Sequence, residues 1–162
     1  DYEVVFGTIQ DVRIYQLNMR FHYMEQIPND IYSRKYKYVD WVFPLIRSRT
    51  LFGGERISIV YFGEEFYSNL LKSLTSSTEL ERYHGQMELI INTTDENFFA
   101  YNESCQTSNS IVMNRAVYTN IDNGYGLFAA ISYESDYIRI NNQSKTRIRN
   151  LEGLNFVGGI PE

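Results

Sequence analysis

The stretch that most constrains the fold is Ala116-Val117-Tyr118-Thr119-Asn120-Ile121-Asp122-Asn123-Gly124-Tyr125-Gly126-Leu127-Phe128-Ala129-Ala130-Ile131, two apolar runs separated by a polar, glycine-bearing pentapeptide. Asn-Gly is the strongest short-range reversal signal, because both residues tolerate positive φ. The stretch therefore predicts strand, tight turn, strand, with Asn123 and Gly124 at the corner. It reads as a keystone of the fold and not as a reactive centre.

Partner strands are visible elsewhere. From Val12, Tyr15, Leu17, Met19, Phe21 and Tyr23 alternate with Gln16, Asn18, Arg20 and His22, the period of a half-buried strand. Tyr36 to Ile46 repeats the pattern, with Val39, Trp41, Phe43 and Leu45 on one face and Tyr38 and Asp40 on the other. A loop over 26–35, containing Pro28-Asn29-Asp30, would join the two as a wide hairpin. Pro44 suits a strand edge. Arg47 to Glu55 reads as loop hinged at Gly53-Gly54, and Arg56 to Tyr61 as a third strand.

The period then changes. Phe66, Tyr67, Leu70, Leu71 and Leu74 follow helical spacing, with Glu64 and Glu65 in the first turn and Lys72 near the end. Alternation returns with Tyr83, Met87, Leu89 and Ile91 against His84, Gln86, Glu88 and Asn92. A second helix is expected over about 95–105, capped by Thr93 with Glu96 completing a capping box. Its inner stripe would be Phe98, Tyr101 or Asn102, and Cys105. Gln106 to Ser110 is a polar loop. Tyr133 to Ile140 extends the last strand, Asn141 to Ser144 turns, Lys145 to Asn155 forms an edge strand, and residues 156–162 fray. The expected fold is α+β, a mostly antiparallel sheet of about six to eight strands with two helices, about 64–75 and 95–105, packed on it. The 162 residues read as one domain. Because the chain starts at Asp1, it is expected to be a fragment or mature form of a longer exported precursor.

Fourteen tyrosines and ten phenylalanines suit pleated, half-buried surfaces. A net charge of −5 argues against nucleic-acid binding, which needs an excess of Lys and Arg. The single cysteine, Cys105, rules out an internal disulfide and thiolate-rich zinc sites. No run approaches the roughly 20 apolar residues that cross a bilayer.

Motifs that carry chemistry are few. Gly124-Tyr125-Gly126 is a Gly-x-Gly, but it follows a turn and opens a strand, so it places no helix N-terminus against a phosphate. His22 and His84, the only histidines, fall on polar strand faces, and Glu88 shares a face with His84. A His/His/Glu metal site is imaginable, but two unrelated surface histidines are the preferred reading. Cys105 reads as a buried structural thiol. The acidic pairs Glu64-Glu65 and Asp95-Glu96 sit at helix starts, where a structural role is the default. Lys145-Thr146-Arg147-Ile148-Arg149 alternates, which resembles edge protection more than a binding stripe. Tyr32, Tyr36, Tyr38 and Trp41 could form a sugar-stacking platform, with core and cross-strand packing as the preferred reading. No catalytic, cofactor-binding or metal-binding residue is assigned, and no cofactor is expected.

Four segments together resemble a known family. They are Tyr15-Gln16-Leu17-x-Met19-Arg20-Phe21-x-Tyr23, the helix around Phe66 to Leu74, Asp95-Glu96-Asn97-Phe98-Phe99-Ala100-Tyr101, and the run from Tyr118 to Ala130. Their order resembles the C-terminal part of the secreted lipoproteins of unknown function abundant in Bacteroidetes. The resemblance implies export, a lipidated cysteine in the precursor, and attachment to the outer membrane. The chain is thus expected to be a non-enzymatic envelope module that binds a glycan, a peptide or another envelope protein. The alternatives are a small hydrolase assembled only in the fold, and a carrier of apolar ligands. Convergence of His22, His84 and Glu88 in a deep cleft would favour an enzyme or a metal site. A large enclosed apolar cavity would favour the carrier, and an exposed aromatic patch over a packed core the binding module.

Overall fold

A computed structural model describes residues 2–7, 13–44, 56–107 and 118–161. The expected loop over 47–55 with Gly53-Gly54, most of the 106–110 loop, and Ala116-Val117 lie outside the described residues. Along the chain come β1 (Tyr2–Gly7), β2 (Arg13–Ile27), β3 (Asp30–Val42), β4 (Arg56–Tyr61), α1 (Gly63–Ser73), β5 (Glu81–Thr94), α2 (Glu96–Thr107), β6 (Ile131–Ile138), α3 (Asn142–Arg149) and β7 (Phe156–Gly159). The fold is α+β with mostly antiparallel pairing. β3, β2 and β5 lie side by side in a five-stranded sheet. The far edge of β5 is shared: β6 pairs antiparallel with Met87–Thr94, and β7 pairs parallel with Arg82–His84. β1 and β4 form a separate two-stranded sheet.

The alternation in β2 sets this arrangement. Leu17, Met19, Phe21 and Tyr23 are buried, and Gln16, Asn18, Arg20 and His22 are half-buried on the opposite side. Val39 is buried opposite Phe21, and Trp41 packs opposite Met19, as their spacing requires. The inner face carries two clusters. At one end Phe21, Tyr23 and Val39 pack against Phe66, Tyr67, Leu70 and Leu74 from α1 and just beyond it, and against Ile148, Leu154 and Phe156. At the other end Leu17 and Met19 pack under Tyr61, with Val4 and Ile59 of the small sheet. Leu71, expected on the inner stripe of α1, is instead exposed, because Phe66, Tyr67, Leu70 and Leu74 already fill that side.

Several expectations are corrected. The hairpin between β2 and β3 is tight, not wide: Asn29 takes φ 64° in a two-residue turn, and pairing starts at Ile27–Asp30. Thr93 does not cap α2, since it still pairs within the sheet. Asp95 does: its carboxylate accepts from Phe98 N at 3.0 Å and from Ala130 N at 2.9 Å. Cys105 is exposed. Residues 145–149 are helical, not an edge strand. Asn141 caps α3 by accepting from Ser144 N at 2.8 Å, and Ser144 and Ile148, four residues apart, are its buried positions. The expected frayed tail is β7, anchored by buried Phe156.

The reversal at 122–126 is a turn without strands beside it. Residues 118–120 and 125–130 are irregular, and β6 begins only at Ile131. Asn120 replaces a strand ladder: its side chain donates to Phe128 O at 2.6 Å and accepts from Phe128 N at 2.8 Å. Positive φ falls at Asn123 (57°) and Gly126 (153°), not at Gly124. No helix among the described residues is long and apolar enough to cross a membrane.

Candidate functional site

The site begins with a β-bulge. Phe21 stands opposite Met87 and Tyr23 opposite His84, so β5 takes three steps where β2 takes two. The extra residue falls at Gly85-Gln86. A side chain at Gly85 would place its Cβ 2.7 Å from the His22 carbonyl oxygen, so the close approach of the two strands needs glycine there.

The bulge reverses the facing of everything before it in β5. Arg82 and His84 join the core side beside Glu25 and Tyr23, and Tyr83 moves out beside Met24. This corrects the shared face expected for Tyr83 and Met87, and the polar face expected for His84. Arg82 is only 2% exposed, and each arm of its guanidinium has an acceptor. Its Nε donates to Glu25 Oε1 at 2.9 Å, Nη1 to Leu154 O at 2.9 Å, and Nη2 to Thr75 O at 3.0 Å. It ties β5, β2 and the approach to β7 together. Burial would raise the Glu25 carboxyl, but hydrogen bonds from Lys37 and Arg82 outweigh it and hold it below its ordinary value. His84 is also buried. That burial, with repulsion from Lys145 and Arg149, favours its neutral form and pulls its pKa down.

The outer face is laid out by the register of the same strands. One row across the sheet reads Asp40, Arg20, Glu88, Tyr137. Arg20 grips Asp40 with two hydrogen bonds, 2.7 and 3.1 Å, and lies 4.0 Å over the Tyr38 ring. His22 Nε2 meets Glu88 Oε2 at 2.8 Å. Burial pushes the Glu88 carboxyl up, but bonds from His22 and Ser135 leave it lowered on balance. The His22 ring sits between Tyr38 and Tyr137, with centroids 6.4 and 5.8 Å away. Tyr36 and Tyr38 are 70 and 55% exposed, so neither lies in the core, although Tyr38 does pack across the strands against Arg20 and His22; Tyr133 and Tyr137, on the same face, are 72 and 57% exposed. Tyr32, at the hairpin tip, is exposed too, whereas Trp41 turns inward to Phe43, Tyr61 and Phe66.

Where β6 gives way to β7 along β5, the sheet has a seam. A cleft of about 820 Å³ opens there, lined by His22, His84, Gly85, Gln86, Tyr137, Arg139, Ile140, Lys145, and Gly159 to Pro161. It adjoins the outer aromatic face at His22 and Tyr137. His22 and His84 thus border one cleft from opposite sides of the sheet. Only His22 reaches Glu88, and no group of three His, Cys, Asp or Glu side chains among the described residues could hold a metal ion. A separate apolar cavity of about 180 Å³ lies between the layers, lined by Val4, Met19, Trp41, Tyr61, Phe66 and Met87 among others. It falls below the roughly 300 Å³ at which ligand pockets begin, so it does not offer the large chamber a carrier needs.

Sequence reasoning found His22, Tyr36, Tyr38 and Glu88 but missed Arg139, and it set Lys145 on an edge strand. Gly85 was the available signal: a lone glycine inside an alternating strand marks a bulge. No protein-family model, no curated protein and no solved structure matches the chain.

Proposed function

We propose that the chain is a non-enzymatic binding module of an exported cell-envelope protein, and that its outer sheet face binds a glycan. The observation that carries this reading is the face itself. Four tyrosines stand exposed beside two fixed polar pairs, Arg20–Asp40 and His22–Glu88. Aromatic rings offer flat apolar surface for the C–H face of a sugar, and each keeps a hydroxyl for polar contact. The paired carboxylates retain free lone pairs for sugar hydroxyls, and the pairing fixes their positions before binding. The setting in the cell envelope rests on the lipoprotein resemblance.

The test is a screen of the purified chain against immobilised glycans, followed by calorimetry on the best ligand. Tyr38→Ala and Tyr137→Ala are expected to weaken binding about tenfold each, the loss of one stacking surface with its buried area. Unchanged affinity in both variants, or no retained glycan, contradicts the reading.

A further inference from the structure

The seam cleft carries an unusual charge for this chain. The protein has 20 acidic against 15 basic residues, yet among the described residues no acidic one lines the cleft. Arg139 and Lys145 both line it, as do His22 and His84. Three other surface cations are held by carboxylates, Arg20 by Asp40, Lys37 by Glu25 and Arg147 by Glu64, while exposed Lys35 and Lys72 have no such partner among the described residues but line no cleft with a second cation there. Among the described residues neither Arg139 nor Lys145 has an ion pair or a side-chain hydrogen bond. Their placement is enforced by the fold. Lys145 sits in the first turns of α3, whose start is fixed by the Asn141 cap, and Arg139 directly follows β6. The bulge at Gly85, where β5 lies against the His22 carbonyl, lines the same cleft, as does Gly159. A Cβ at Gly159 would approach His84 Cε1 to 3.2 Å.

Two such cations facing a cleft with no acidic residue among its described lining favour an anion. Charge alone would hold a small ion weakly at such a surface cleft, since exposed charges are screened at ordinary salt. An anionic group delivered by a larger ligand meets that objection, because neighbouring contacts raise its effective concentration at the cleft. The cleft shares His22 and Tyr137 with the aromatic face, so one extended ligand can reach both.

We propose that the ligand is an acidic glycan. Its sugar rings lie on the tyrosines, and a carboxylate or sulfate enters the seam cleft between Arg139 and Lys145. This inference rests on the glycan reading of the sheet face and names its ligand class.

The test compares four probes by calorimetry at low salt. They are an oligogalacturonate, its carboxyl-reduced neutral counterpart, a carboxyl-reduced chondroitin sulfate oligosaccharide whose only anion is sulfate, and its desulfated form. The expected result is that at least one acidic probe binds about tenfold or more tighter than its neutral partner, the scale of one or two charge-assisted hydrogen bonds. The paired variant Arg139→Gln/Lys145→Gln should erase that difference and leave neutral binding unchanged. Which acidic probe wins separates carboxylate from sulfate. Both substituted positions lie off the apolar core, and circular dichroism on the variant confirms that it is folded. Equal binding of acidic and neutral probes, or an acidic preference that survives the double substitution, overturns the acidic ligand while leaving the sheet-face reading intact. No binding of any probe overturns both.

Discussion

The two faces of the five-stranded sheet are built from the same strands but solve opposite problems. The inner face buries Leu17, Met19, Phe21 and Tyr23 under two helices at one end and a small sheet at the other. The outer face, one residue out of step, holds Arg20, His22, Tyr38, Glu88 and Tyr137. Inside, rings meet rings: Phe21 packs against Tyr23, Phe66 and Phe156. Outside, rings meet charges, with Arg20 over Tyr38 and His22 beside Glu88. Aromatic residues therefore do not mark the core of this protein. Strand parity decides their role, and the bulge at Gly85 is where parity changes.

Truncating one ring on each face should have very unequal costs. Phe21→Ala is expected to cost about 3–5 kcal/mol, a buried ring lost from a packed cluster, and Tyr38→Ala less than about 1 kcal/mol. Urea denaturation of both variants measures this directly, and equal losses would mean that the outer face is covered.

Gly85→Ala comes next. The added methyl meets the His22 carbonyl, so either the bulge opens or the strands part. The expected loss is about 1–3 kcal/mol, the scale of backbone strain, together with changed histidine resonances in NMR spectra. A variant as stable as the parent would remove the bulge from this account.

The smallest effect is on pH dependence. The folded state depresses the pKa of His84 below its ordinary 6.5. Below that value the unfolded chain takes up a proton that the folded chain resists. The stability tied to neutral His84 is thus full above pH 6.5 and is lost as the pH falls through the window below it. Glu25, Glu88 and Asp95 are also lowered, so their losses begin only below the ordinary carboxylate values of 4.5 and 3.8. Melting temperatures of the parent should therefore fall between about pH 6.5 and 5, above the carboxylate window, and those of His84→Gln should fall less there. Parallel curves for the two would contradict the environment assigned to His84.

The legibility of these features in the sequence follows from how local each signal is. β2 and α1 were readable because one uninterrupted period governs each and tertiary packing agrees with it. α3 reads as a strand because Lys145-Thr146-Arg147-Ile148-Arg149 alternates over five residues, and that short match hides Ser144 and Ile148 at helical spacing behind the Asn141 cap. β7 was missed because Phe156-Val157-Gly158-Gly159 is weak alone and gains its place from pairing with Arg82–His84, more than 70 residues away. The reversal at Asn123 was correctly placed as a turn. Its flanks do not pair as strands, however, because the Asn120 side chain supplies the hydrogen bonds a ladder would have made. Within the candidate site, His22 and Glu88 could be set on polar faces from alternation alone. Their pairing could not, since it depends on the β2–β5 register. The seam cleft was not legible at all, because it arises from two strands sharing one edge.

If the outer face and its seam bind as one surface, a single ligand perturbs both. Titration of the isotope-labelled chain with an acidic oligosaccharide, followed by NMR, tests it most directly. The account predicts shifts in the backbone signals of Arg20, His22, Tyr38, Glu88 and Tyr137, continuing into Gly85, Arg139 and Lys145, while Leu17 and Leu70 stay fixed. Shifts confined to residues away from these strands, or none at saturating ligand, would contradict it.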